Sequence, residues 1–442
     1  MFKELIEKFA ASYAHKTMQQ SLYRSLNMDI TDKEILKVPN SNKEYMLYAH
    51  IPFCHTFCPY CSFHKYAYDD KICKEYFIRL RKELTHLKEV GYDFSSMYVG
   101  GGTTLIDEDE LLKTLELAKK LFSIELISCE TDPNHLDPKE LVKFKGLVDR
   151  LSVGVQSFDD EILKKVARYY KFGSGEVLKE KIKNAIGILP TLSLDLIFNF
   201  PFQTKEALLA DIKIAKELNP QQITFYPLMK SEVTKEAIAK TLGISNKDNE
   251  KEFYNIIKEQ FSDYHQNNAW AFSKEKEGLR DEYVGSNHEY VGAGSGAFSF
   301  LEGRLLVNAF NLNDYMQAID NKKSPVIATC DFTESEKIKY KFLTELFDGK
   351  IDIAKFNQRH NVNLKKALFV ELSLLKFSNA IKEESGFITP TSFGNYLCAL
   401  LMKDFYAGMD RVRAVFRNDA KVKSSKILKI MQEEEKAPSL AK

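Results

Sequence analysis

The sequence has no charge bias, no long apolar run and no disulfide pattern, and each absence removes a class of protein. Lys plus Arg number 63 against 62 Asp plus Glu, a formal charge of +1 over 442 residues. A duplex nucleic-acid binder would carry a basic footprint. A disordered chain would pair high net charge with little hydrophobicity, whereas 44% of these residues are hydrophobic. No apolar stretch reaches the ~18 residues needed to span a bilayer. The opening residues Met1-Phe2-Lys3-Glu4-Leu5-Ile6-Glu7-Lys8 carry acids and no apolar signal core, so the expected location is the cytoplasm. Tryptophan occurs once, as Trp270, and reads as packing. Seven cysteines, an odd number, make no disulfide framework in a chain of this length.

What the sequence does have is a local concentration of sulfur. Cys54, Cys58 and Cys61 fall within eight residues, in His50-Ile51-Pro52-Phe53-Cys54-His55-Thr56-Phe57-Cys58-Pro59-Tyr60-Cys61. The scattered Cys73, Cys129, Cys330 and Cys398 read as buried thiols. In a reducing compartment a tight cluster reads first as a metal or redox site. Structural zinc wants four ligands, usually two separated pairs. No second pair exists here, although His50, His55 or His64 could complete the count. A redox pair of Cys58 and Cys61 would leave Cys54 unexplained. An iron–sulfur cube takes one thiolate per iron, so three thiolates on one loop leave one iron open to an amine and carboxylate.

Around this loop, strand and helix signals alternate. Residues 1 to about 40 read as helical, with Phe2, Leu5, Ile6, Phe9 and Tyr13 at helical spacing. Strands are predicted at 45–51, 96–99, 125–130, 150–155, 192–198 and 222–226, with helices over 71–90, 107–122, 137–145, 159–166 and 205–218. Such alternation implies a parallel sheet with helical crossovers, doubly wound or rolled into a barrel, with chemistry at the C-terminal strand ends. The cysteines, Gly100-Gly101-Gly102, Glu130, Gln156 and Asp195 all fall at or within strand ends. A second glycine run, Gly292 to Ala297, follows a polar connector. From Phe332 onward the chain reads as helices with a small wing near Gly386-Phe387-Ile388-Thr389-Pro390.

The C-x3-C-x2-C loop after a first strand resembles the signature of radical S-adenosylmethionine (SAM) enzymes. The longer string from Tyr48 through Cys61 resembles the branch of oxygen-independent coproporphyrinogen III oxidases, heme chaperones and anaerobic heme-opening methyltransferases. This resemblance runs from about Tyr45 to Tyr315. It implies an α/β fold: a partial (β/α)6 TIM-like barrel at 45–230, an N-terminal helical extension at 1–44, a covering segment at 231–330 and a mainly helical C-terminal domain at 331–442. It implies a [4Fe-4S] cluster on Cys54, Cys58 and Cys61. It also implies SAM held by Tyr48, Tyr60, Gly101, Gly102, Thr103, Glu130, Gln156, Arg168, Asp195 and Phe298, the glycine amides approaching the methionine end of SAM. The family usually has Pro after that Thr; here Thr104 stands.

By the same resemblance, a 5′-deoxyadenosyl radical takes hydrogen from a propionate side chain of a porphyrinogen, which loses carbon dioxide and becomes a vinyl group. A flavodoxin- or ferredoxin-type donor supplies electrons, and the substrate is a tetrapyrrole. Its carboxylates call for cations at the mouth, with Arg168, Arg280 and Arg304 as candidates. Two departures leave the subgroup open. Phe63 stands where the oxidase usually has a further Cys, and the chaperone tract H-N-x-x-Y-W is absent, the region reading Asp281-Glu282-Tyr283-Val284-Gly285-Ser286-Asn287-His288-Glu289-Tyr290. A heme-binding chaperone and a heme-opening methyltransferase are the alternatives to the oxidase.

Overall fold

The computed structural model describes residues 2–418 except 27, 32–35, 37, 41–42, 232–233, 245–247 and 276–288. Arg280 and residues 281–288 lie outside the described residues. Six predicted strands form as β1 (Tyr45–Ile51), β2 (Ser96–Gly101), β3 (Leu126–Thr131), β4 (Arg150–Gln156), β5 (Thr191–Phe198) and β6 (Gln222–Pro227). They pair parallel in chain order. Every residue of β1 is buried, as expected of a parallel strand covered on both faces.

The crossover helices explain the covering. In α1 (Asp70–Val90), Cys73, Tyr76, Phe77, Leu80, Leu84 and Leu87 recur at helical spacing on one buried face. Each large apolar side chain so covered contributes about 1.5–3 kcal/mol. Asp69 caps the start by accepting from the Ile72 amide, and Gly91, at φ +106°, ends the helix by donating to the carbonyls of Leu87 and Lys88. A further helix, Gly175–Ala185, lies between β4 and β5, where only the helix over 159–166 is predicted.

The sheet continues beyond the barrel strands to thirteen strands. A seventh parallel strand, β7 (Glu289–Ala293), pairs with β1. The strands 298–301, 304–308 and 326–331 then extend it antiparallel. On the other edge, β6 pairs antiparallel with Ala271–Ser273. Trp270 is fully buried there, edge-on to Phe347 and Tyr226. The four scattered cysteines are all buried thiols.

The N-terminal end departs from the sequence reading, while the C-terminal part is mainly helical as expected. The N-terminal helix runs over Phe2–Ser25 and gives way to a two-residue strand, Asp29–Ile30, paired with Thr329 and Ala328. Leu5, Phe9 and Tyr13, three of the five residues read at helical spacing, are 66%, 70% and 50% exposed and border an apolar cavity of about 840 Å³ facing the C-terminal helices. Periodicity identifies the helix but not what covers it. The helix docks on the C-terminal helix α2 (Ser392–Asn418), where His15 Nδ1 lies 2.6 Å from Asp404 Oδ2. The C-terminal part also holds a three-stranded antiparallel sheet of Ile351–Asp352, Phe387–Pro390 and Ile381–Glu384, which contains the residues read as a wing. No helix among the described residues is long and apolar enough to cross a membrane.

Candidate functional site

The cysteine loop leaves β1 and is immediately pinned back. Phe53–Cys54 pairs parallel with Tyr66–Ala67, closing a loop that carries all three thiols, each half-buried. The Cys61 amide donates to the Cys58 carbonyl at 3.2 Å, and Lys65 Nζ donates to the Cys61 carbonyl at 2.8 Å. Burial, reinforced by Cys61, pushes the Cys54 thiol up to about 12. Among the described residues no three His, Cys, Asp or Glu side chains are arranged around a single metal ion. The donor set, three thiols on one short loop, fits a cluster that takes one thiolate per iron.

The first glycine run lies directly against this loop. The Gly102 amide donates to the Ile51 carbonyl and the Thr103 amide to the Phe53 carbonyl, both at 2.8 Å. A Cβ on Gly102 would sit 2.4 Å from the Phe53 carbonyl oxygen and 3.0 Å from Cys54 Sγ. Glycine is required there by close approach. The Gly101 amide donates to Glu130 Oε2 at 3.2 Å. These three amides are therefore engaged within the protein, which corrects the expectation that they reach for a ligand. The strand-to-loop turn needs them to close its own backbone.

Glu130, at the end of β3, is held at its other oxygen by the Tyr98 hydroxyl at 2.7 Å. The Thr104 hydroxyl donates to the Glu130 carbonyl, a bond that proline could not supply. Thr103 Oγ1 lies 3.9 Å from Cys54 Sγ and donates to Asp132 at 3.0 Å. Tyr48 donates or accepts at His50 Nδ1 at 2.8 Å and stacks on Tyr98, placing its ring beside Gly100.

At the end of β4 the register slips against β5 between Gly154 and Gln156, and Gln156 adopts φ +73°. A positive φ is uncommon outside glycine, and a bulge at a barrel rim re-aims a side chain. Arg168 is buried. Its Nη1 lies 3.5 Å from Cys58 Sγ and 3.4 Å from the Tyr60 hydroxyl, while Nη2 donates to the Gly154 carbonyl. Its Nε is buried without a partner among the described residues. Burial raises the Tyr60 hydroxyl well above its usual range, opposed by Arg168. Asp195 on β5 lies opposite Gly154 and accepts from Ser152 Oγ at 2.8 Å. Thus Tyr60, Arg168 and Cys58 meet directly, as do Gly101 with Glu130 and Thr103 with Cys54.

Phe298 lies elsewhere in the wall, just past the second glycine run. That run is a docking surface. A Cβ on Gly294 would meet the Tyr76 hydroxyl at 2.4 Å, and one on Gly296 would meet the His64 ring at 2.5 Å. Buried Glu83 ties it down, accepting from the Gly294 amide (2.8 Å), Tyr315 (2.6 Å) and Asn308 (3.2 Å). Burial raises the Glu83 carboxyl to about 7 against these donors. The folded state therefore holds a proton that the unfolded chain has lost, and this carboxyl's contribution to stability falls as pH rises from about 4.5 to 7. The loss is about 3 kcal/mol in all. Glu83→Gln is expected to shrink the stability difference between pH 4.5 and 8 by that order, measured by denaturant midpoints against wild type.

Sequence reasoning missed Tyr98, Ser152 and Asp132, the partners that fix the assigned acids and Thr103. Tyr98 alternates with Gly100 on β2 and Ser152 with Arg150 on β4, a period-two signal that marks a face but not a contact. Of the candidate mouth cations, Arg168 is at the thiols. Arg304 instead pairs with Asp331 on the antiparallel extension.

Comparison with known proteins agrees with this geometry. The radical SAM superfamily model matches residues 48–215. The heme chaperone HemW of Bacillus subtilis is 31% identical over 310 residues, covering 66% of this chain and 80% of that protein. The oxygen-independent coproporphyrinogen III oxidase of Helicobacter pylori strain 26695 is 27% identical over 383 residues, covering 79% and 81%. Among solved structures, coproporphyrinogen III oxidase HemN from Escherichia coli superposes with a TM-score of 0.66 at 21% identity, covering 83% of this chain and 91% of that one, which establishes a shared fold. At this identity and coverage the chain belongs to the radical SAM superfamily, in the family that contains the HemW heme chaperones and the oxygen-independent coproporphyrinogen III oxidases.

Proposed function

We propose that this protein is a radical SAM enzyme of the coproporphyrinogen oxidase type, converting porphyrinogen propionates to vinyl groups. The observation that carries this reading is the extent of likeness: the oxidase match covers 79% of the chain, against 66% for the chaperone. Cys54, Cys58 and Cys61 would hold the [4Fe-4S] cluster. When bound, the cluster and SAM supply a radical able to take hydrogen from an unactivated carbon.

The chain's own residues position the reactants. Arg168, beside Cys58 and Tyr60, places fixed positive charge next to the thiolates. Because the amides of Gly101, Gly102 and Thr103 are engaged, this segment can offer an ammonium its carbonyl oxygens. Glu130, near the end of β3, and Asp195, within β5, are carboxylates suited to hydroxyl and ammonium donors. Gln156, set by its bulge, Tyr48 and Tyr60 would border SAM, with Phe298 in the adjoining wall. The side-chain change balances as propionate giving vinyl, carbon dioxide, one hydrogen atom taken up by that radical and one electron passed to an external one-electron acceptor. The electron that starts each cycle comes from a flavodoxin- or ferredoxin-type partner.

Anaerobic assay with dithionite, SAM and coproporphyrinogen III is expected to give the divinyl product by mass spectrometry. SAM cleavage by cluster-loaded protein without that product overturns the oxidase reading. A second reading, a heme carrier, is favoured by the 31% identity to HemW. It predicts stoichiometric heme uptake and hand-over to an apo-protein without porphyrin turnover.

A further inference from the structure

We propose that Arg413, on the C-terminal helix α2, is a positioning residue for the cysteine loop. This rests on the reading of the three thiols as a cluster site. The limb of the loop after Cys61 is fixed on one side by Lys65, and by His64 through its carbonyl to His50 Nε2 (2.9 Å) and its Nε2 to Ser295 Oγ (3.2 Å). Phe63, two residues past the last thiol, is the side chain of this limb that turns outward, 36% exposed.

The Arg413 guanidinium covers it. The guanidinium carbon lies 5.4 Å from the Phe63 ring centre and 5.4 Å from that of Phe298, within cation–π range of both. Arg413 is itself buried and pairs with buried Asp410 one turn back. One turn on, Phe416 stacks on Phe310 at 5.9 Å and 6°. The Phe310 carbonyl in turn accepts from Tyr66, on the strand that closes the cysteine loop, and from Ser295 of the second glycine run. The end of α2 thus joins the thiol loop, the second glycine run and the C-terminal domain at one point. A planar guanidinium between two ring faces does this; a lysine ammonium would hold the charge but not the stacking. Undocking the helix would release Phe63 and with it the spacing of Cys61.

The test uses full-length, anaerobically reconstituted Arg413→Ala, Arg413→Lys and Phe63→Leu. Readouts are iron release to a ferrous chelator, the electron paramagnetic resonance signal of the reduced cluster with and without SAM, and hydrogen exchange over 55–68. Arg413→Ala and Phe63→Leu are expected to release iron at least about fivefold faster, with exchange raised in the loop and an altered response to SAM. Arg413→Lys should fall between them and wild type. Val415→Ala, on the exposed face of the same helix (58% exposed), should match wild type. Iron release within twofold of wild type and unchanged exchange in Arg413→Ala overturn the proposal; if that variant does not fold, Phe63→Leu decides. Wild type that holds no cluster overturns the cluster reading instead, and exchange on the bare chain still decides the joint.

Discussion

Alanine at Cys54, Cys58 or Cys61 is expected to reduce iron from about four to below one per chain after anaerobic reconstitution and to abolish SAM cleavage. A cube bound through three protein thiolates has no spare protein ligand, so losing one leaves two irons without a side chain. Substitution cannot be rescued locally, since no other cysteine lies on the loop. Cys73, Cys129, Cys330 and Cys398 are buried elsewhere, and alanine at each should retain iron while costing stability. Iron analysis and the visible spectrum check both sets. Full iron in any one of the three loop variants would remove that cysteine from the ligand set.

Gly102→Ala is expected to be nearly as damaging, for a different reason. The new methyl would lie 2.4 Å from a backbone carbonyl oxygen and 3.0 Å from Cys54 Sγ. The nearer atom is backbone and cannot swing aside as a side-chain end could. Relief requires moving Phe53–Cys54 away from β2, breaking the 2.8 Å bonds from Gly102 to Ile51 and from Thr103 to Phe53. Overpacking of this kind costs about 1–3 kcal/mol, and here the displaced segment carries a thiol. The expected outcome is a folded protein of lower stability, with iron content and SAM affinity each reduced at least about tenfold, measured by iron assay and equilibrium binding. Gly146→Ala is the control, because nothing stands within 4 Å of its Cβ position. At φ +84° it carries backbone strain alone.

The two predictions divide along the line between what sequence shows and what it does not. The triad and the strand–helix alternation are local signals: three thiols on one short loop, and apolar periods of two and 3.6 that read off burial directly. They place Glu130 and Gln156 near the ends of their strands and Asp195 within its own, because each lies in or after a short apolar run with strand periodicity. The engagement of the glycine amides is not local. It depends on β1 and β2 lying side by side, so that Gly102 and Thr103 meet the carbonyls of residues fifty positions earlier. The same holds for Glu83, whose spacing on α1 marks a buried face but not the strand that covers it.

The amino-acid sequence by itself indicated the superfamily, a candidate thiol triad and the strand–helix alternation of a parallel sheet, because these follow from short-range pattern and motif; the order of the strands came from the structure. Only the tertiary structure decided which partners fix the site. Tyr98 and Gly101 orient Glu130, Arg168 joins Cys58 to Tyr60, and Arg413 reaches back from the C-terminal helix to Phe63. Such contacts join residues dozens to hundreds of positions apart, and their specificity lies in distances and directions that no periodicity encodes. The exposed stripe of Leu5, Phe9 and Tyr13 makes the same point in reverse: a pattern specifies a face, and packing alone decides whether anything covers it.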